Sequence, residues 1–171
     1  MKATTIRPKQ KILVANRGAI DLRATKTARE MGIKTVAVYS DVDRQAVFAR
    51  YADEAIHIGP APSSESYLIG TNIIEAALSV GADAIHPGYG FLSENAGFSD
   101  AVRDAGLTFI GPQAKAIETM GSKLAAKETV KPFGVPLVPG TDHPIENIAE
   151  AQDVARKIGF PLLIKASAGG G

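Results

Sequence analysis

The 171 residues include 19 lysines and arginines against 18 aspartates and glutamates, a net charge of +1, with 45% apolar and 22% charged residues. That is ordinary globular usage, which excludes wholesale disorder and gives no reason to expect a nucleic-acid partner. There is no cysteine, so disulfides, thiolate metal sites and cysteine nucleophiles are excluded; no apolar run approaches the ~18 residues that span a bilayer, and the basic stretch 1–11 lacks the apolar core of a secretory signal. No membrane partner and a cytoplasmic location are therefore expected.

Taken in chain order, the pattern alternates strands and helices. Lys11 to Ala15 is a short apolar run that stops at Asn16 and Gly18, the signature of a buried strand. Residues 19–31 follow with helical spacing, with Ile20, Ala24, Ala28 and Met31 expected on the buried face and Gly32 as the stop. Ile33 to Tyr39 is rich in β-branched residues and reads as a second strand, Ser40 to Arg44 as a polar loop, and Glu54 to Gly59 as a third strand before the turn-rich Gly59-Pro-Ala-Pro-Ser-Ser segment. A helix from about Thr71 to Val80 presents Ile73, Ile74, Ala77 and Leu78. Asp83 to His86 is a fourth strand. Asn95 can cap a helix whose apolar positions are Phe98, Ala101, Val102 and Ala105. Leu107 to Ile110 is a fifth strand, and a helical stretch runs up to Met120. Strands that read as continuous apolar runs, joined by helical crossovers, predict a doubly wound parallel α/β sheet for residues 1–121.

The character then changes. Ser122 can cap a helix from Lys123 to about Val130, before Pro132 stops it. Gly134 to Gly140 is punctuated by proline, so residues 122–137 read as a linking helix and hinge. Asn147 with Glu150 forms a capping-box pattern ahead of Ile148, Ala151, Ala155 and Ile158, and Pro161 to Ala166 reads as an apolar strand carrying one lysine. Residues 138–171 look like the opening of a second domain, interrupted within a glycine run.

Four places could carry chemistry. The first strand-to-helix turn, Val14 to Gly18, lies where a dinucleotide-binding fold keeps its phosphate loop, and Asp41 and Asp43 lie where a ribose-binding acid would stand. The three-glycine fingerprint is missing, so a tight turn with two solvated loop acids is the expected reading. His86 to Asn95 follows the fourth strand, at the end of the sheet where open α/β folds bind ligands. Its glycines permit close backbone approach, and Tyr89 offers a ring face and a hydroxyl; the alternative is a structured capping loop. Gly121-Ser122-Lys123 has the letters but not the order of a phosphate loop; a lysine at a helix start favours an anion, while an exposed lysine beside a cap explains it equally. Finally, Lys165 lies between apolar neighbours and is followed by Gly169, Gly170 and Gly171. A lysine of that kind is costly to bury without an anion, and glycine N–H groups can wrap phosphate oxygens; an edge lysine and a loose tail remain the alternative.

Together these stretches resemble the biotin carboxylase component of biotin-dependent carboxylases, a branch of the ATP-grasp superfamily. The residues that carry the resemblance are Ile12-Leu-Val-Ala-Asn-Arg-Gly18, Thr35-Val-Ala-Val-Tyr-Ser40, Ala52-Asp-Glu54, Ile58-Gly-Pro-Ala-Pro62, Ser66-Tyr-Leu68, Ala84-Ile-His-Pro-Gly-Tyr-Gly-Phe-Leu-Ser-Glu-Asn95, Phe109-Ile-Gly-Pro112, Met120-Gly-Ser-Lys123, Gly134-Val-Pro136 and Ile164 to Gly171. The resemblance implies a Rossmann-like preATP-grasp domain over 1–121 and the start of an ATP-grasp lid over 138–171. It implies Mg·ATP activating bicarbonate through a carboxyphosphate and carboxylating biotin on a carrier domain, with a carboxyltransferase as a further partner. Lys123 and Lys165 match nucleotide-contacting lysines, Gly169 to Gly171 open the lid loop over the phosphates, and the loop at Tyr89 and Gly90 faces the biotin side of the cleft. The acyl acceptor, acetyl-CoA or a relative of it, is not identified.

The family's magnesium-binding acids, bicarbonate-binding arginine and catalytic acid and base all fall beyond Gly171. The expectation is therefore that residues 1–171 contain no catalytic residue and show no bicarbonate-dependent ATPase activity by themselves. The sequence departs from the family at Ala19 and Asp21, where a helix-start acid has moved two places, and at Ala24 and Thr25, where aliphatic residues are usual; these changes leave the family's homodimer in question. Ser122 stands for an aspartate, and Pro132 shortens a helix. Another ATP-grasp ligase and a non-catalytic folding or assembly module remain as alternatives; the His86–Asn95 stretch favours the biotin branch over the first.

Overall fold

The computed structural model describes residues 10–121, 123–137, 140, 141 and 143–164, without the side chains of residues 123–125 and 128. It divides into two compact units, Met1–Ala114 and Lys115–Gly171.

The first unit is built on five parallel strands. They are β1 (Lys11–Val14), β2 (Lys34–Ser40), β3 (Glu54–Gly59), β4 (Ala84–His86) and β5 (Thr108–Phe109), in the spatial order β3-β2-β1-β4-β5. Leu13 lies between Val36 and Ile85, and Val14 between Ala37 and His86. Leu13, Val14, Val36, Val38 and Ile85 are fully buried, as strands covered on both faces must be. The expected doubly wound parallel sheet is present. From β1 the chain moves outward through β2 to β3, then returns to pair β4 on the other side of β1. Crossovers of the usual right hand assign α1 (Gly18–Glu30) and α2 (Val47–Tyr51) to one face, where they contact each other, and α3 (Gly70–Ser79) and α4 (Ala96–Asp104) to the other.

Several local expectations need correction. Helix α1 buries Asp21, Thr25 and Ala28, whereas Met31 is exposed. Apolar spacing misplaces this face because its inward stripe is largely polar. Helix α3 buries Ile73, Ala76 and Ala77 but leaves Leu78 exposed, and α4 buries Phe98, Ser99 and Val102 but not Ala101. The expected loop at 40–44 contains a short 3-10 helix, Asp41–Asp43, and α2 follows it unannounced by any periodic pattern. Asp43 is buried rather than solvated.

The second unit holds α5 (Ala114–Gly121, which starts one residue before it), α6 (Lys123–Val130) and α7 (Ile148–Ile158). A 3-10 turn over Lys131–Phe133 takes Pro132 in its first residues, so α6 ends at Val130. Asn147 caps α7: its side chain accepts from Glu150 N–H at 2.9 Å. Glu150 reaches back to Glu146 N–H at 3.0 Å rather than to the cap residue, and to His143 Nε2 at 2.6 Å. No residue of α7 is fully buried, and Ile148 is exposed. Residues Pro161–Ile164 form no strand; Leu163 and Ile164 are exposed. No helix among the described residues is long and apolar enough to cross a membrane.

Candidate functional site at the switch point of the sheet

Strands β1 and β4 are neighbours whose following segments depart to opposite faces of the sheet. Their carboxyl ends form the crevice where open α/β sheets bind ligands. Two segments meet there: Ala15 to Gly18 after β1, and Pro87 to Asn95 after β4.

Asn16 ties them together. Its Nδ2 donates to the carbonyls of Pro87, at 3.0 Å, and Tyr89, at 2.9 Å, and its Oδ1 accepts from Arg17 N–H. The side chain is buried and its hydrogen bonds span some 70 residues of sequence, so it fixes the loop to the sheet. Gly88 makes this approach possible: it has φ +67°, and a Cβ there would stand 2.5 Å from Asn16 Nδ2. His86, the last residue of β4, accepts from Gly88 N–H through Nδ1 at 3.0 Å, which leaves its ring proton on Nε2. Burial pushes the His86 pKa down, so the neutral ring that makes this bond is favoured.

A second network closes the other side. Asp43 Oδ1 accepts from Arg17 Nη2 at 2.8 Å, and Asp43 Oδ2 accepts from Tyr67 Oη at 2.7 Å and Ser40 Oγ at 3.0 Å. Burial alone would raise the Asp43 pKa, but the bonds from Tyr67, Arg17 and Ser40, with the arginine charge, outweigh it and hold the carboxyl below its ordinary value. Ser40 N–H donates to Tyr67 Oη at 3.2 Å, beside a register shift at the end of β2. Burial, then the bond to Asp43, pushes the Tyr67 hydroxyl well above the usual phenol range, so it remains a donor. The Tyr67 ring stacks on Phe91, with centroids 5.4 Å apart and planes 11° apart. The Arg17 guanidinium carbon lies 5.5 Å from the Tyr67 ring centroid.

Tyr89, between these anchors, is 64% exposed. Its hydroxyl accepts from Arg23 Nη1 at 3.3 Å. Gly90 follows with φ +64° and open space around it. The site thus presents one aromatic face on a loop that is fixed at both ends.

The structure places the expected site residues unevenly. Tyr89 and Gly90 stand together at the crevice. Lys123 opens α6 in the second unit, with its side chain outside the described set, and Lys165, Gly169, Gly170 and Gly171 lie outside the described residues. Among the described residues no three histidine or acidic side chains cluster to hold a metal ion. Sequence reasoning left out Arg23, weighed Asp43 as a ribose-binding or solvated loop acid and Asn16 and Arg17 as part of a possible phosphate turn, and quoted Tyr67 only as a letter of the resemblance. Their roles rest on contacts between distant segments, for which a single sequence carries no local signal. Asp41, the second expected loop acid, pairs with His57 Nε2 at 2.7 Å away from this network.

Comparison with known proteins agrees with this geometry. Residues 8–117 match the family model "Biotin carboxylase, N-terminal domain", and residues 122–171 match "Carbamoyl-phosphate synthase L chain, ATP binding domain". The chain is 53% identical to Biotin carboxylase 1 of Bacillus subtilis over 162 residues, covering 95% of this chain and 36% of that protein. It is 55% identical to the chloroplastic biotin carboxylase of Arabidopsis thaliana, covering 94% and 30%. Among solved structures, the biotin carboxylase domain dimer of Hydrogenobacter thermophilus 2-oxoglutarate carboxylase, in complex with MgADP, ADP and bicarbonate, superposes with a TM-score of 0.90 at 48% identity, covering 97% of this chain and 36% of that one. A Campylobacter jejuni biotin carboxylase–β,γ-ATP complex gives 0.88 at 47% identity, covering 96% and 37%. The chain spans about a third of the length of the curated relatives it matches.

Proposed function

Because the chain belongs to the biotin carboxylase N-terminal domain family, we propose that it serves as the N-terminal part of an ATP-dependent biotin carboxylase, a ligase that carboxylates carrier-bound biotin with bicarbonate. The observation that carries this reading is the Pro87–Asn95 loop: it lies at the sheet's switch point, is fixed by Asn16 and Tyr67, and presents the exposed Tyr89 ring. A flat aromatic face beside glycine backbone suits the ring face of a compact bicyclic ligand such as biotin, whose polar ureido edge is left free.

In this reading residues 1–121 form the preATP-grasp domain, 122–137 the connecting helix and hinge, and 138–171 the start of the lid. ATP, when bound, supplies the phosphoryl group that activates bicarbonate. Lys123, with Lys165 and Gly169 to Gly171, would place cations and N–H donors against its phosphates, where fixed positive charge stabilises phosphoryl transfer. In the same reading the acids that bind magnesium lie outside residues 1–171. Partners of the same class are a biotin carrier domain and a carboxyltransferase. The neighbour from Hydrogenobacter thermophilus is a dimer; in this chain Thr25 is buried within its own unit, so of Ala24 and Thr25 only Ala24 could alter a subunit contact. A cytoplasmic location belongs to the same proposal.

The test is a graft. Residues 8–171 replace the matching segment of the Bacillus subtilis relative, and bicarbonate-dependent ADP release is measured with and without free biotin. Retention of biotin-dependent turnover within about tenfold of the parent, one tenfold step being about 1.4 kcal/mol of barrier, is expected. A folded chimera that hydrolyses no ATP in response to biotin overturns the reading. Replacing Lys123 by Ala in the active chimera should raise the KM for ATP more than it lowers kcat.

A further inference from the structure

The Tyr89 ring is largely exposed and its hydroxyl accepts one long hydrogen bond, from Arg23. Side-chain packing therefore does little to fix it, and its position must be set through the backbone on either side. On the near side, Asn16 holds the carbonyls of Pro87 and Tyr89. On the far side stands Phe91, with φ +45°, the single non-glycine residue with positive φ among the described residues. A bulky side chain does not adopt that conformation unaided; surrounding structure must impose it, and such outliers cluster at ligand sites. What faces Phe91 is Tyr67, 1% exposed, stacked ring on ring, with its hydroxyl bonded to Asp43, which in turn is bonded to Arg17 and Ser40.

We propose that Tyr67, anchored by Asp43, is a positioning residue for the ligand-facing loop: by stacking on Phe91 it holds the left-handed backbone there and so sets where the Tyr89 ring stands. It touches no ligand itself. Three strand ends contribute to the clamp, Arg17 after β1, Ser40 and Asp43 at and after β2, and Phe91 after β4, so the position of the ring is referred to the sheet rather than to the loop. The inference rests on the reading that Tyr89 faces biotin, and the two can fail separately.

The experiment uses the isotopically labelled 171-residue chain. Backbone order parameters of Gly88, Gly90 and Phe91, and the ring signals of Tyr89, are compared in wild type, Tyr67→Phe, Tyr67→Leu and Phe91→Ala, with Leu13 and Val36 as references in the sheet. In Tyr67→Leu and Phe91→Ala the Gly90 and Phe91 order parameters should fall from about 0.85 to below about 0.6 while the references stay rigid, and the Tyr89 ring signals should move toward free-tyrosine values. Tyr67→Phe, which keeps the stack and loses the bond to Asp43, should fall between. Unchanged loop signals in the folded variants overturn the proposal, and so does a loss of order spread evenly through the sheet, which a purely structural tyrosine would give. Should Tyr67→Leu fail to fold, Phe91→Ala removes the same contact from the loop side and decides alone. A parallel titration with free biotin reads the other question: shifts at Tyr89 in wild type that weaken about five- to tenfold in Phe91→Ala, the ratio expected from losing one stacked aromatic pair, support both ideas. No shift at Tyr89 in wild type overturns the biotin reading, with the order parameters still deciding the positioning role.

Discussion

A β-carbon at position 88 would overlap the Asn16 side chain, at 2.5 Å from Nδ2 and 2.8 Å from Cγ, in a backbone already at φ +67°. Gly88→Ala should therefore cost about 2–3 kcal/mol, the sum of left-handed strain and a clash with a side chain that cannot withdraw without abandoning two carbonyls. Asn16→Ala should cost about 1–3 kcal/mol, because the Pro87 and Tyr89 carbonyls lose their partner. The double variant should cost less than the sum, since truncating Asn16 removes the two closest contacts and leaves only its Cβ, at 2.9 Å. Urea midpoints at constant slope measure all three, and strict additivity would show that the two residues do not meet as described. The pairing was not legible at either position alone: Asn16 read as the end of a strand and Gly88 as a glycine permitting close approach to a ligand, and the contact joins segments more than 70 residues apart.

At the scale of elements, what could be read from the sequence was what is encoded locally. Asn95 was expected to cap α4, and its Oδ1 accepts from Phe98 N–H at 2.8 Å. Asn95→Ala should therefore lower stability by about 1 kcal/mol and Asn95→Asp by much less, as read by thermal unfolding. The five strands were legible as short runs bounded by glycine or a polar turn, apolar or β-branched in all but Glu54–Gly59, whereas their order in the sheet is set by pairings between distant segments and was not read. Helix faces were less legible. In α1 the rule that apolar residues face inward fails at Asp21 and Thr25, which are buried together, with Thr25 Oγ1 donating to Asp21 Oδ1 at 3.0 Å. Helix α2 has five residues, too few for a periodic pattern, and its buried Phe48 and Ala49 pack against Ala37 of β2, a contact that exists only once the sheet is assembled. The Asp43–Tyr67 pair, the core of the site's second anchor, joins residues 24 apart and was invisible for the same reason.

For the molecule as a whole, the buried Asp21 and the half-buried His86 make stability depend on pH in opposite directions. Asp21 has no exposed surface, its Oδ2 has no hydrogen-bond partner, and burial pushes its pKa up to about 7 against the partial compensation of Thr25. Between an unfolded value of 3.8 and a folded value of about 7, the unfolded chain releases this proton and the folded chain keeps it. Raising pH through that window therefore favours unfolding, by an amount on the order of 4 kcal/mol at its limit, after which both states are ionised and the effect is constant. His86 acts the other way. Its folded pKa is depressed below 6.5, so lowering pH through 6.5 protonates the unfolded chain first and stability falls until the folded ring also takes a proton. The difference between a variant and wild type isolates each group from the other carboxylates. Asp21→Asn keeps the size and an acceptor for Thr25 but cannot ionise. Its stability relative to wild type should rise steadily from pH 4 to pH 7 and level off above it, in chemical denaturation at fixed ionic strength. The relative stability of His86→Gln should instead rise as pH falls below 6.5. A flat difference curve for Asp21→Asn would mean that Asp21 finds a partner or water in the folded chain. In that case α1 tolerates a charge in its inward face, and the acid displaced two places along the helix is a solvated substitution without energetic consequence for the fold.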